Sequence, residues 1–203
     1  MGLNEDVGRR LRTLRRERDL SLSELSRRSR VGKGTLSELE SGTRNPTLET
    51  LYALATALGL PLSAVLSDPL PADGRVPVPA GVSGSAVTAV LLERYEDEAA
   101  VTDVFRISIR AGAVQESEAH VPGTHESLMV LTGTAVVGPP DDTRTAGPGA
   151  SAHWRADAPH VYGAPDGDVE GVLFVRSPVV KAPQGLPGRS AGHDAPSRLT
   201  RRM

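Results

Sequence analysis

Two clusters of residues in this 203-residue chain could carry chemistry. The denser one is Glu118-Ala119-His120-Val121-Pro122-Gly123-Thr124-His125-Glu126, answered 34 residues later by His160, with Trp154, Asp157 and Tyr162 nearby. Histidine and glutamate on neighbouring strands inside a β-fold can bind a divalent metal, or can hydrogen-bond an organic ligand. Glu126 and His160 are the strongest candidates for the interior. Met129, Trp154 and Tyr162 join them as a ligand-lining set, with Met129 expected in the core. The metal candidates are His120, His125, Glu126 and His160. His153 and His193 carry no signal of their own.

The second cluster is Lys33-Gly34-Thr35-Leu36-Ser37-Glu38-Leu39. On a short helix with Leu36 and Leu39 inward, Lys33, Thr35, Ser37 and Glu38 point to solvent. Small polar side chains at the start of an exposed helix can reach base edges in a DNA groove.

The elements that must position these residues fall into two textures. The first 45 residues hold eleven Arg/Lys against seven Asp/Glu, whereas residues 69–203 hold twelve against sixteen. A basic head on an acidic body suggests that the head meets a polyanion. Val7, Leu11 and Leu14 give the head a first helix, with Asn4 as its cap and Glu5 and Asp6 in its first turn. Ser21-Leu22-Ser23-Glu24 is a capping box that starts a second helix. Val31-Gly32 supplies a tight turn, and a third helix spans roughly Lys33–Glu40. Thr47 caps a fourth, with Leu48, Leu51, Leu54, Ala55 and Leu58 on one stripe and Gly59 as its stop. Leu62, Val65 and Leu66 make a short fifth.

Residues 68–85 are rich in proline and glycine and read as a linker. The body alternates with a period near two. Val101, Asp103, Phe105, Ile107 and Ile109 share one face. Further strands are expected at Ala86–Leu92, Leu128–Leu131, Thr134–Val137, Ala150–Trp154, His160–Tyr162 and Val169–Arg176. Many short strands between glycine and proline turns suggest a sandwich or barrel. The tail after Pro183 has no apolar period and is expected to be disordered. The expected division is therefore 1–67, a helical domain; 68–85, a linker; 86–180, a β domain; and 181–203, a tail.

The chain has no cysteine, which excludes disulfides, thiolate metal sites and cysteine nucleophiles. No apolar run reaches the ~18 residues of a membrane span, and the charged start does not read as a secretory signal. A cytoplasmic protein without a membrane partner is the expectation.

The stretch from Leu20 to Leu66 resembles the XRE (lambda/434-repressor-like) helix-turn-helix family. The resemblance rests on Leu22–Leu25, on Gly34-Thr35-Leu36-Ser37-Glu38-Leu39-Glu40-Ser41-Gly42, on Asn45-Pro46-Thr47, and on Leu54-Ala55 through Leu58-Gly59. It implies that Lys33, Gly34, Thr35, Ser37 and Glu38 face the major groove, and that Ser41, Thr43 and Arg44 grip the DNA backbone. It also implies an internal salt bridge between Arg15 and Glu40. Leu22 stands where the family often has a polar DNA-contacting residue.

The body resembles a cupin domain, a partner commonly fused to such heads. Glu126 followed by Gly133 fits the end of the first cupin motif, and Gly149 with Asp157-Ala158-Pro159-His160-Val161-Tyr162 fits the second. The first motif's two histidine positions hold Ala119 and Val121. His120 lies between them and is expected on the opposite side of the strand, and His125 falls where the family often has an acid. A full three-histidine, one-glutamate set is therefore absent, and no cofactor is assigned. A divalent metal stays open only if a bulge turns His120 or His125 inward.

The resemblance implies two domains, a five-helix all-α helix-turn-helix bundle followed by an all-β jelly-roll-like barrel. The function it implies is a DNA-binding transcriptional regulator that binds a double-stranded operator as a homodimer and senses a small-molecule effector. Two alternatives stand beside it. One is a metal-dependent oxidase or epoxidase carrying a helix-turn-helix domain; the other is a DNA-binding protein whose closed barrel serves only to dimerise.

Overall fold

A computed structural model describes residues 3–66 and 81–179. Five helices come first: α1 (Leu3–Glu17), α2 (Leu22–Ser29), α3 (Lys33–Glu40), α4 (Leu48–Leu58) and α5 (Ser63–Leu66). Their apolar stripes meet in one core, where Leu11, Leu25, Leu36, Leu51 and Leu54 are sealed from solvent.

Local chemistry sets the helix ends. Ser21 caps α2 by accepting from the Glu24 N–H at 3.1 Å. The Glu24 carboxylate pairs with Arg27 and Arg28 one turn on, which holds its pKa down at about 2. Thr47 caps α4 by accepting from the Thr50 N–H, and Gly59 ends it in the left-handed region. Asn4, expected as a cap, lies inside α1 and donates to the Asn45 side chain. The tight turn between α2 and α3 also differs from expectation. Its left-handed residue is Arg30, at φ 58°, while Gly32 has φ −55° and starts α3 with no side-chain cap. Ser26 Oγ donates to the Val31 carbonyl at 2.6 Å and closes that turn.

The close packing of α1 on α3 requires one particular glycine. A Cβ on Gly8 would sit 2.2 Å from the Leu39 carbonyl oxygen, so any side chain there forces the two helices apart.

The β region is an antiparallel, cupin-like pair of sheets. Its strands are β1 (Gly81–Ser83), β2 (Val87–Glu96), β3 (Ala100–Ile109), β4 (Val114–Ser117), β5 (His125–Thr132), β6 (Ala135–Gly138), β7 (Arg144–Ala146), β8 (Ser151–Arg155), β9 (His160–Gly163) and β10 (Val169–Pro178). Six strands form one sheet in the order β1-β2-β3-β10-β5-β8, and four form the other in the order β4-β9-β6-β7. The sheets do not join into a closed barrel among the described residues. Phe105, Ile107, Leu128, Val130, Val137 and Leu173 fill the core.

Along β3 the face of Val101, Asp103, Phe105, Ile107 and Ile109 is buried as expected, Asp103 included, and Val104 on the other face is buried too. Strands β1, β4 and β7 are additional to those expected. Gly81–Ser83, at the end of the segment read as linker, is an edge strand paired with Thr88–Val90. Residues 67–80 and the tail at 181–203 lie outside the described residues.

Polar and aromatic contacts tie the helical bundle to the sheets. Glu49 on α4 accepts from the Ser85 N–H at 2.7 Å. Asp103 on β3 accepts from the Ser63 N–H at 3.1 Å, and Arg94 donates to Ser63 Oγ at 3.1 Å. Tyr52 on α4 stacks on His120.

Candidate functional site

The structure presents two candidate sites, an exposed helix face on the bundle and a buried histidine–glutamate cluster between the sheets. On the bundle, Leu36 and Leu39 of α3 face the core, while Lys33, Gly34, Ser37 and Glu38 are exposed and Thr35 is partly so. Nothing lies within 4 Å of where a Gly34 Cβ would stand, so the backbone of α3 is open on this face. The loop after α3 is built around the Glu38 carbonyl. It accepts from Ser41 Oγ at 2.9 Å, Thr43 Oγ1 at 3.1 Å and the Thr43 N–H at 3.0 Å. Arg44 reaches back to the Glu38 carboxylate at 3.0 Å, so one charge of this face is spent internally.

Behind this face, Arg15 donates twice to Glu40, at 2.6 and 2.8 Å, and once to the Leu20 carbonyl at 2.8 Å. Leu22 is partly buried and lines a shallow cleft with Arg12, Arg15, Ser37, Glu40 and Ser41. It therefore works as packing rather than as a polar contact.

The second site is assembled from both sheets and one loop. Along β5, residues alternate, so Glu126, Leu128 and Val130 point inward while His125 and Met129 point outward. Along β9, His160 and Tyr162 point inward from the opposite sheet, and Trp154 of β8 closes one side. The fourth member is His120. Strand β4 ends at Ser117, so His120 lies on the β4–β5 loop, where strand alternation does not operate. Its N–H donates to the Ala156 carbonyl at 2.8 Å, and its ring turns into the interior.

The geometry is compact. His120 Nε2 is 2.9 Å from Glu126 Oε1, and His160 Nε2 is 3.4 Å from Glu126 Oε2. The Tyr162 hydroxyl donates to Glu126 Oε2. The ligating atoms of His120, Glu126 and His160 all lie within 4.8 Å of one another, and all three side chains are buried. His160 Nδ1 is tied to the Ala158 carbonyl at 2.9 Å, which leaves its Nε2 facing the carboxylate without a hydrogen-bond partner. His120 Nδ1 also has none.

Burial by itself would raise the Glu126 pKa. The His120 hydrogen bond, the neighbouring imidazoles and the Tyr162 hydroxyl outweigh it and hold the carboxyl below its usual range. Burial lowers the pKa of His160, against the pull of Glu126. Tyr162 is pushed well up by burial and by the Glu126 charge, so it remains a phenol that donates. The cluster thus holds one carboxylate between two ring nitrogens. That donor set suits a divalent cation. With metal–ligand bonds near ~2.1 Å, donors around one ion stand about 3 Å apart; the His120–Glu126 pair meets this at 2.9 Å, the His160–Glu126 pair is at 3.4 Å, and the whole set lies within 4.8 Å.

A cleft of about 120 Å³ is lined by Ser117, Pro140, Pro159 and His160.

The sequence-derived set is corrected in three places. Met129 is 44% exposed on the outer face of β5 and is neither core nor part of the site. His125 is exposed, with Nδ1 against the Gly123 carbonyl, and stands apart from the cluster in an outer groove with Arg155, Phe174 and Arg176. His120, expected on the opposite side, completes the cluster. Glu126, His160, Trp154 and Tyr162 come together as expected. One member escaped the sequence reading. Tyr52 of α4 stacks on His120 with ring centroids 4.2 Å apart and planes at 15°.

The helix-turn-helix model HTH_3 matches residues 11–65. The chain is 30% identical over 152 residues to the HTH-type transcriptional regulator SutR of Escherichia coli K12, covering 75% of this chain and 83% of that protein. It is 47% identical over 66 residues to the transcriptional regulator ClgR of Mycobacterium tuberculosis, covering 32% of this chain and 59% of that one. Its fold is similar to a crystal structure of an HTH_3 family transcriptional regulator from Vibrio cholerae. The TM-score there is 0.71 at 23% identity, over 87% of this chain and 97% of the other.

Proposed function

Because this chain belongs to the HTH-type transcriptional regulators of the XRE kind, with a cupin-like domain behind the reading head, we propose that it is an effector-controlled DNA-binding regulator. The helix α3 reads an operator, and the His120–Glu126–His160 cluster senses a small ligand. Lys33, Gly34, Thr35, Ser37 and Glu38 enter the major groove, while Ser41, Thr43 and Arg44 hold the phosphates. Two copies bind two half-sites about 34–36 Å apart. The protein works where its DNA is, in the cytoplasm.

The observation that carries the sensing half is the cluster itself. It is sealed, it holds a carboxylate between two imidazoles, and it leaves two ring nitrogens without partners. Such a cluster is costly as mere core. His120, Glu126 and His160 would hold a divalent cation, which when bound supplies a positive anchor for an acidic or carbonyl-bearing effector. Tyr162 fixes the carboxylate, the Ala158 carbonyl fixes His160, and Trp154 walls the pocket.

A second reading draws on the same observation. Two histidines and one carboxylate are also the donor set of non-haem iron oxygenases. A Co²⁺ titration followed by Trp154 emission tests the site. Saturable quenching that disappears in Glu126→Gln supports it. Oxygen consumption by the Fe²⁺-loaded protein with a turned-over small molecule would favour the enzyme instead.

A further inference from the structure

The ligand cluster is not walled by the β domain alone. Its most movable member is covered by a residue of the DNA-reading bundle. His160 is held at both ends, since it sits on strand β9 and its Nδ1 is tied to the Ala158 carbonyl. His120 is on a loop, and its Nδ1 has no hydrogen-bond partner. Two things hold its ring. One is the 2.9 Å bond from Nε2 to Glu126; the other is the face of Tyr52, nearly parallel at 4.2 Å. The edge of His160 meets it from a third side at 4.9 Å and 81°.

This arrangement has a stereochemical consequence. His120 Nε2 and Glu126 Oε1 both belong to donor groups of the cluster. A cation held between them would replace this hydrogen bond, one of the two contacts that hold the His120 ring. Occupancy thereby changes how the ring is held against Tyr52, and any displacement of the ring moves Tyr52 or weakens the stack. Tyr52 belongs to α4, whose stripe of Leu51, Leu54 and Leu58 packs in the same core as Leu25 of α2 and Leu36 of α3. Other ties between bundle and sheets, from Glu49 to Ser85 and from Ser63 to Asp103 and Arg94, are made by residues outside the cluster.

We propose that Tyr52 is a positioning residue of the ligand site contributed by the DNA-binding bundle, and that the Tyr52–His120 stack couples occupancy of the His120–Glu126–His160 cluster to the seating of α4. The proposal rests on the cluster being a ligand site. A ligand that binds with different free energies in the stacked and unstacked arrangements shifts the balance between them, and DNA binding feels the shift through α4.

The test uses the full chain with Co²⁺ alone as the probe. Trp154 is the sole tryptophan, with its ring 6.3 Å from that of His160, so its emission reports occupancy independently of any change in the bundle. Hydrogen exchange of the α4 amides reports the bundle. In the wild type, saturating Co²⁺ changes α4 exchange by about fivefold or more, the size of an ordinary coupling free energy. In Tyr52→Phe, which keeps the stacked ring, the change persists. In Tyr52→Ala, Co²⁺ still quenches Trp154 while the α4 response is lost, and native protection of α1 and α3 verifies that the bundle is folded. Quenching with no α4 response in the wild type overturns the coupling alone, as does an undiminished response in Tyr52→Ala. Absence of any Trp154 response in the wild type overturns the ligand site, and the coupling with it.

Discussion

Glu40, in the last turn of α3, accepts two hydrogen bonds from Arg15 of α1, at 2.6 and 2.8 Å, with both side chains largely buried. This pair fixes the end of the exposed helix to the longest helix of the bundle. It sits beneath the surface that would meet DNA, so its role is to orient α3. Removing one partner leaves the other buried and unpaired. Arg15→Ala is therefore expected to destabilise the helical bundle by about 1.5–3 kcal/mol, read as a lowered midpoint in denaturant, and to weaken DNA binding only in proportion to the fraction unfolded.

The outward residues of α3 behave in the opposite way. Lys33 and Thr35 make no side-chain hydrogen bond or ion pair among the described residues, so truncating them costs the fold little. Lys33→Ala and Thr35→Ala should each weaken binding to a selected duplex by ~1–3 kcal/mol per lost contact, with unchanged thermal stability. Equal affinity in both variants would show that another surface reads the DNA.

Gly8 gives a packing test of the same geometry. A methyl group at this position meets the Leu39 carbonyl at 2.2 Å, against backbone that cannot rotate away. Gly8→Ala should cost about 1–3 kcal/mol and should also weaken DNA binding by displacing α3. A variant as stable as the wild type would show that α1 and α3 are not held at this distance in solution.

Asp103 makes stability at the junction of the two regions depend on pH. Burial raises its pKa above the usual value of 3.8, against the Ser63 hydrogen bonds and the Arg94 charge, with Glu96 raising it further. A group whose pKa is raised by folding favours the folded state most fully below its unfolded pKa. That contribution is lost as pH rises through the folded value. The stability of the wild type relative to Asp103→Asn should therefore fall as pH rises from about 4. Paired thermal melts across that range test it, and a constant difference between the two proteins would contradict it.

Much of this was legible in the sequence, for identifiable physical reasons. Helices α2 and α4 follow from local chemistry, since Ser21, Thr47 and Gly59 act within one turn of the backbone they cap. Glu126 and His160 are legible through the resemblance to the two cupin motifs, and strand alternation along β5 and β9 accounts for Glu126, His160 and Tyr162 facing inward. The same alternation puts Met129 outside with His125, a parity that its apolar character masks. His120 was misplaced because alternation was extended past Ser117, where the strand stops and a loop begins. Tyr52 could not be found at all. Its meeting with His120 joins positions 68 residues apart in different units, and no local pattern encodes such a contact.

Control of DNA binding by the buried cluster is tested most directly by one titration, in which full-length protein is added to a labelled duplex enriched from a random pool, and to a scrambled duplex, with and without saturating Co²⁺. The expected result is at least about a thousandfold preference for the enriched duplex near ~0.15 M salt, an affinity that changes on adding Co²⁺, and loss of that change in Glu126→Gln. Equal affinity for both duplexes would contradict the reading of α3 as a sequence-reading helix. A preference that Co²⁺ leaves untouched, with Trp154 quenched, would contradict control of DNA binding by the buried cluster.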